Sequence, residues 1–269
     1  MAALAALVAV WVVPVLVTLV WVIFQPSTDA AEQFNDSSPW LAALQLLALE
    51  GVLVATAAFF AGRGGLRKIT ADRPGTIIIL LSLVCGIAFS AVLTEIARMA
   101  IEYFPEVFKS DVLRGIAGML EVSSTGAFLF LITLSVAAPL GEEILCRGLV
   151  LRAFMSRYSS LVAILLSAAI FAVLHMNATQ SLCAFLFGLF AGACAVRTGS
   201  IWPAVAAHLG VNLTDSIAVF SNLVNVDAVL GSQGLSTEIV ITAFAILMLC
   251  SGAIWFLSPA PVGQEEPGS

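Results

Sequence analysis

Charged residues are scarce in this chain. Only 10% of its 269 residues are Asp, Glu, Lys or Arg, whereas 61% are hydrophobic. Soluble domains contain about 25% charged residues, so this composition excludes a water-soluble fold. Apolar runs as long as the roughly 20 residues that cross a bilayer recur along the chain. They predict one all-α, polytopic membrane domain that sits in the lipid bilayer and has no attached soluble domain.

Basic clusters and paired cysteine motifs are also missing. The formal net charge is −6. Because nucleic-acid binding needs clustered Lys and Arg, nucleic acid is not a predicted partner. The five cysteines lie in apolar segments without C-x-x-C spacing. This pattern favours buried free thiols over a disulfide framework or a zinc ribbon.

About eight transmembrane helices are predicted from the apolar runs. They cover residues 2–24, 39–61, 76–97, 125–157, 159–177, 181–197, 200–220 and 237–257. The first run exceeds the roughly 7–15 residues of a signal-peptide core, so we expect a retained span. We divide the chain into N-terminal helices with a surface segment (1–124), a core (125–220), and a loop, last helix and acidic tail (221–269).

The distribution of basic residues predicts how the chain is oriented. Seven of them flank one set of span ends: Arg63, Arg67, Lys68, Arg73, Arg152, Arg157 and Arg197. Three flank the opposite ends: Arg98, Lys109 and Arg114. Because cytoplasmic loops are enriched in Lys and Arg, we expect both termini in the cytoplasm. Segment 101–124 mixes charged and large apolar residues, which suits either a helix on the membrane surface or a lid over a site.

Glu142, Glu143 and Arg147 interrupt the fourth predicted span, in the stretch AAPLGEEILCRGLVLRAF. Glu142, Glu143 and Arg147 would each cost about 2.5–3.5 kcal/mol on insertion scales, so they indicate a functional site. Glu143 and Arg147 are four residues apart and share a helix face, whereas Glu142 points about 100° away. We therefore predict a structural ion pair between Glu143 and Arg147, with Glu142 as the working carboxylate. Glu50, in the second span, fits a helix-packing acid and a polar cavity equally well.

The chain contains only two histidines, and both fall within predicted spans. His175 ends the run SAAIFAVLH, and Phe171, a candidate cavity residue four positions earlier, can pack on its ring. His208 lies about 12 Å into the seventh span at 1.5 Å per residue. Asn212 follows four residues later and points the same way. Polar residues on three neighbouring membrane helices together predict one functional site.

These residues form three motifs in a fixed order. The stretch EEILCR at 142–147 resembles E-E-x-x-x-R, FAVLH at 171–175 resembles F-x-x-x-H, and HLGVN at 208–212 resembles H-x-x-x-N. The set resembles the type II CAAX prenyl endopeptidases and their bacterial and archaeal relatives, the CPBP or abortive-infection (ABI) proteins. The resemblance covers about residues 125–220, which makes this segment the predicted catalytic core.

The resemblance implies an eight-helix fold around a conical, water-accessible cavity, with peptide-bond hydrolysis that uses neither a metal nor an acyl-enzyme. In that scheme Glu142 and His175 bind and activate a water, while His208 and Asn212 stabilise the oxyanion. The implied partner is a peptide or membrane-protein substrate, and no cofactor is expected. The eukaryotic relatives cut prenylated C-a-a-X tails, but the substrate of this chain stays open. We expect it in a prokaryotic cell membrane.

Three other functions fit the same residues. Two His and one Glu form a workable zinc ligand set with a fourth position for water. However, H-E-x-x-H is absent, and metal ligation would remove the oxyanion donors. A non-catalytic immunity or binding protein would hold a partner in the same polar cavity. A transporter would use the carboxylate as a proton relay.

Overall fold

The structure is a computed structural model that describes residues 39–121, 125–221, 229 and 234–258. Within these ranges it contains nine helices and no strand, which confirms the predicted all-α fold. The helices are α1 (Pro39–Ala61), α2 (Gly65–Ala71), α3 (Thr76–Tyr103), α4 (Asp111–Glu121), α5 (Thr125–Met155), α6 (Ser160–Leu174), α7 (Ala178–Thr198), α8 (Trp202–Phe220) and α9 (Thr237–Leu257).

Five of these helices, α1, α3, α5, α7 and α9, are long and apolar enough to cross a membrane. Two of them, α1 and α9, coincide with predicted spans, and α3 continues to Tyr103 instead of ending at residue 97. Helix α6 has 15 residues. It is about 22 Å long at 1.5 Å per residue, shorter than a hydrocarbon core of about 30 Å. The first predicted span, 2–24, lies outside the described residues, and the predicted count of eight is not confirmed.

Helices α3 and α8 approach each other closely through two glycines. An added Cβ on Gly86 would lie 1.9 Å from the carbonyl oxygen of Ala207, and one on Gly210 would lie 2.5 Å from that of Leu83. Only a residue without a side chain permits this separation, and small residues are a common way for membrane helices to pack. The contact fixes α8 against α3, so the face of α8 that carries His208 has a defined position.

The long helix α5 contains two wider π-helical segments, Thr133–Ala137 and Ile144–Leu151, on either side of Ala138–Glu143. In the first segment the N–H of Ala138 donates to the carbonyl oxygen of Thr133, five residues back. The next donor in this register would be Pro139, which has no N–H. The carbonyl oxygen of Leu134 is therefore left without a donor in that register and is available to another helix.

One member of each predicted set of basic residues contacts an end of α9. Arg197 donates to the carbonyl oxygen of Trp255, at the end of this helix, over 2.7 Å. Arg98 lies beside Gly234, before α9 begins, since an added Cβ there would be 2.7 Å from its Nε. A member of the larger basic set and a member of the smaller set thus occupy opposite ends of the bundle.

Candidate active site

A buried hydrogen-bonded cluster joins α5, α7 and α8. Arg147 donates from Nη1 to Oε1 of Glu143 over 2.9 Å and from Nη2 to the carbonyl oxygen of Gly188 over 3.1 Å. Both charged side chains are 0% exposed. The same oxygen of Glu143 lies 2.9 Å from Nδ1 of His208. The structure thus brings together the predicted pair of Glu143 and Arg147, and it adds a contact with His208 that the sequence did not predict.

This contact orients the imidazole of His208. A carboxylate oxygen accepts a hydrogen bond, so Nδ1 carries a proton and Nε2 faces the remaining part of the site. The ring is also held by aromatic neighbours, with centroid distances of 4.8 Å to Phe187 and 5.7 Å to Phe171. Glu143 is therefore both an ion-pair partner and a group that positions the histidine.

Glu142 differs from its neighbour in environment. Its side chain is 19% exposed, and its Oε2 lies 3.7 Å from Nε2 of His208. This distance is too long for a direct hydrogen bond, so the carboxylate lies beside the ring without being bonded to it. The rotation between consecutive helical residues separates the two acids as predicted, with Glu143 in the buried cluster and Glu142 partly open.

His175 lies in the connection between α6 and α7, not inside the predicted span 159–177. Helix α6 ends at Leu174 because Met176 adopts a left-handed backbone with φ 54°. Asn177 then caps α7 by accepting from the backbone N–H of Gln180 over 3.1 Å. These two local features place His175 at the end of a short helix.

Two contacts with Phe171 fix the ring of His175. Its Nδ1 lies 3.0 Å from the carbonyl oxygen of Phe171, and the two rings meet edge-on at 4.9 Å. A carbonyl oxygen only accepts, so Nδ1 carries the proton and Nε2 keeps its lone pair. The guanidinium of Arg147 covers Phe171 at 4.6 Å. The phenyl ring therefore links the histidine to the buried cluster.

Asn212 is held by the carbonyl group of Leu134, which has no backbone donor in the π-helical register because residue 139 is a proline. Its Nδ2 donates to the carbonyl oxygen of Leu134 over 2.9 Å. A primary amide nitrogen has two N–H groups, so the second remains for another acceptor. The side chain is neither fully buried nor fully exposed. Its orientation results from the π-helical register of α5 as well as from its own position on α8.

A cavity of about 200 Å³ is lined by most of the predicted site residues. Its polar lining includes His175, His208, Asn212 and Asp215, and Phe171 is among the apolar groups. Glu142 does not line this cavity and meets the site through His208. The predicted site is therefore one continuous cluster with a cavity on one side and a buried ion pair on the other.

The described part of the predicted surface segment, residues 101–121, borders this cavity. Leu113, on α4, is one of the lining residues. Before α4, the backbone N–H of Lys109 donates to Oγ1 of Thr179 over 3.0 Å, and that hydroxyl donates back to the carbonyl oxygen of Lys109 over 2.7 Å. Of the two roles left open by the sequence, these contacts favour a cover over the site.

Glu50 is buried beside the site without lining the cavity. It is 4% exposed, and neither carboxyl oxygen has a hydrogen-bond partner in the described ranges. An added Cβ on Gly141 would lie 2.1 Å from Oε2 of Glu50. Only glycine next to Glu142 leaves room for this carboxyl group, which packs α1 against α5.

Asp215 is a cavity residue that the sequence analysis missed. It accepts a hydrogen bond from Oγ of Ser90 and faces the same space as Asn212. The spacing of His208, Asn212 and Asp215 is i, i+4 and i+7, which is one face of a helix. That spacing could have identified Asp215 as a site residue. It was overlooked because Asp215 lies near residue 220, the predicted end of the span.

These features define a polytopic, all-helical membrane protein whose polar site combines carboxylate, imidazole and amide groups. Residues 124–214 match the family model described as type II CAAX prenyl endopeptidase Rce1-like. The match contains all three motifs, confirms the resemblance predicted over 125–220, and indicates a peptidase of the CAAX type in a membrane. No curated protein and no solved structure matches the chain.

Proposed function

We propose that this protein is an intramembrane endopeptidase that hydrolyses a peptide bond of a membrane-associated or lipidated protein at the site of Glu142. The observation that carries this proposal is the convergence of His175, His208 and Asn212 on one cavity, with Glu142 3.7 Å from Nε2 of His208. Carboxylate, imidazole and amide groups at one place supply a base and hydrogen-bond donors for acyl transfer.

In the first step, Glu142 acts as the general base for a water molecule. Nε2 of His175 accepts a hydrogen bond from the same water, because its Nδ1 is engaged with Phe171. The water oxygen attacks the carbonyl carbon, and Glu142 takes the proton. Glu142 then returns this proton to the leaving amine as the C–N bond breaks. A general base of this kind contributes about 10²–10⁴-fold in rate.

The oxyanion that forms in this step is stabilised by His208 and Asn212. Asn212 offers the N–H that Leu134 does not use, and His208 offers Nε2. Donation from Nε2 requires a ring that carries protons on both nitrogens. Loss of one oxyanion donor lowers kcat by about 10²–10³-fold in a well-studied protease.

The reaction proceeds without a metal or another cofactor. In the described ranges no group of three His, Cys, Asp or Glu side chains is placed to hold a metal ion. Glu143 is already engaged by Arg147 and His208. Unchanged cleavage in the presence of strong chelators supports this proposal. Stoichiometric zinc in the purified active protein would overturn it in favour of a zinc protease.

The first experiment compares new protein termini in membranes that contain the wild type or Glu142→Gln. Glutamine keeps the size of the side chain but has no carboxylate to take a proton. We expect termini that appear only with the wild type and with Glu106→Gln, a control at an exposed glutamate. Identical termini in all three samples, with the phenotype intact, would favour a non-catalytic immunity or binding protein.

We also propose an orientation of the chain in the membrane. Both termini face the cytoplasm of a prokaryotic cell, so the end of the bundle with Arg197 is cytoplasmic and the end with Arg98 is external. Reporter fusions at the C-terminus that are active only in the cytoplasm support this arrangement. Activity of a periplasmic reporter at the same position would contradict it.

A further inference from the structure

Asp215 brings a carboxylate into the cavity that the proposed mechanism does not use. Its side chain is exposed, and the space it faces is the one that His208 and Asn212 line. Ser90 on α3 is 3% exposed and donates its hydroxyl hydrogen to Oδ1 of Asp215. The carboxylate is therefore held in one direction by a buried neighbour on another helix.

Within the described ranges no Lys or Arg forms an ion pair with this carboxylate. All 11 Lys and Arg residues of the chain lie in the described ranges. Among these ranges no ion pair includes Asp215, and no Lys or Arg lines the cavity. Lys109 and Arg114, which are near the cavity-lining Leu113 in sequence, are exposed and do not line the cavity. A carboxylate that faces a cavity without a Lys or Arg partner on a helix of a membrane protein marks function more often than packing.

We propose that Asp215 is a specificity residue that binds a positively charged nitrogen of the substrate. The group is a Lys or Arg side chain or a free N-terminal amine close to the bond that is cut. This inference rests on the proposed function, since it places the cation relative to the scissile carbonyl. It also disfavours substrates whose own C-terminal carboxylate would lie against Asp215.

The spacing along α8 sets where the cation lies. At 1.5 Å per residue, the backbone of Asp215 is about 4.5 Å beyond that of Asn212 and about 10 Å beyond that of His208. An extended peptide advances about 3.3 Å per residue. With its carbonyl group between His208 and Asn212, a substrate places a cation at Asp215 within about three residues of the scissile bond.

Cleavage of synthetic peptides tests this inference. The peptides share an apolar sequence in detergent micelles and carry Lys, Met or Glu at one position within three residues of each bond. Acetylated and free N-termini distinguish a side chain from an N-terminal amine as the source of the cation. We expect kcat/KM for the Lys peptide to exceed that for the Met peptide by roughly 10- to 100-fold, the effect of a charge-assisted hydrogen bond.

Three variants locate this preference. Asp215→Asn keeps the shape and should remove the preference for Lys. Asp215→Lys should reverse the preference, so that the Glu peptide is cleaved faster. Ser90→Ala should weaken the preference for Lys, because the carboxylate of Asp215 is then no longer held in one direction. Asp72→Asn, an exposed acid at the other end of the bundle, should leave it unchanged. Equal cleavage of Lys and Met peptides by the wild type, or a Lys preference that survives Asp215→Asn, would overturn the inference.

Binding to a catalytically impaired protein separates the two proposals. In the Glu142→Gln background, the Lys peptide should bind roughly 10-fold or more tightly than the Met peptide, and adding Asp215→Asn should abolish the difference. Equal binding of both peptides would reject the cation site even if the wild type is a protease. A binding preference lost with Asp215→Asn, combined with no cleavage by the wild type, would keep the cation site and reject the endopeptidase.

Discussion

The buried half of the site and its cavity half hold polar groups in different ways. In the buried half, Glu143 accepts from Arg147 at 2.9 Å and contacts His208 at 2.9 Å, and the side chains of Glu143 and Arg147 are both closed to a substrate. In the cavity half, His175, Asn212 and Asp215 each keep part of the side chain facing open space. The difference predicts that the first half determines stability and the second determines activity.

Arg147→Met should have the largest effect, because it leaves the carboxylate of Glu143 buried without its cation. Removal of one partner from a buried ion pair costs about 3–5 kcal/mol. Glu143 would no longer be held by Arg147, so the ring of His208 would lose its fixed hydrogen-bond partner. Both folding and cleavage should therefore fail. The yield of folded protein and the unfolding midpoint in detergent micelles measure this effect.

Two controls sharpen this first prediction. Arg157→Met makes the same change at an exposed position and should unfold like the wild type. The double variant Glu143→Gln/Arg147→Met leaves no unpaired charge and should recover part of the lost stability. Wild-type stability of Arg147→Met alone would show that the buried half does not determine stability.

His175→Gln should produce the opposite pattern. The ring is only partly buried and its hydrogen bond is local, to Phe171 four residues earlier. We expect an unfolding midpoint close to that of the wild type. Cleavage should be slower by up to about 10²–10⁴-fold, the range for general-base catalysis, because the water on which Glu142 acts is no longer held by His175. Rates on a substrate identified from the new termini test this. Full activity of His175→Gln would remove this residue from the mechanism.

Asn212→Ala should affect both quantities, since Asn212 belongs to the cavity and also pairs the carbonyl oxygen of Leu134. Leaving this partly buried acceptor unpaired costs up to about 1–3 kcal/mol, and loss of the second N–H should slow cleavage. In the Asn212→Ala background, Pro139→Ala supplies a backbone N–H. We expect this second change to restore stability but not the cleavage rate. Recovery of both together would mean that Asn212 acts only through packing.

The sequence predicted the parts of this site that depend on one helix. The pairing of Glu143 with Arg147 follows from a spacing of four residues, and the bounds of α1 and α9 follow from the apolar runs. Asn212 was predicted as a site residue, but its partner was not. That contact requires the π-helical register at Pro139 and the close packing of α8, which no local pattern encodes.

The residues that sequence analysis misplaced or missed depend on backbone details and on distant contacts. His175 was predicted inside a span because the apolar run continues to it, yet the left-handed backbone of Met176 ends the helix at Leu174. Asp215 is held by Ser90, which is 125 residues earlier in the chain. Neither the turn conformation nor this contact between α3 and α8 has a signature in the amino-acid sequence.

Glu50→Met should have the smallest effect and the opposite sign to the change at Arg147. Both oxygens of Glu50 are buried without a hydrogen-bond partner in the described ranges, so its carboxyl group costs folding free energy that a methionine of similar length avoids. We expect the free energy of unfolding to rise by about 1–2 kcal/mol. Glu143→Met, the same change at the partnered carboxylate, should instead destabilise the protein because Arg147 then loses its counter-charge. Chemical unfolding of both variants in micelles compares them directly. If Glu50→Met also destabilises, Glu50 has a polar role beside Gly141 comparable to that of Glu143, and the contrast between the two carboxylates fails.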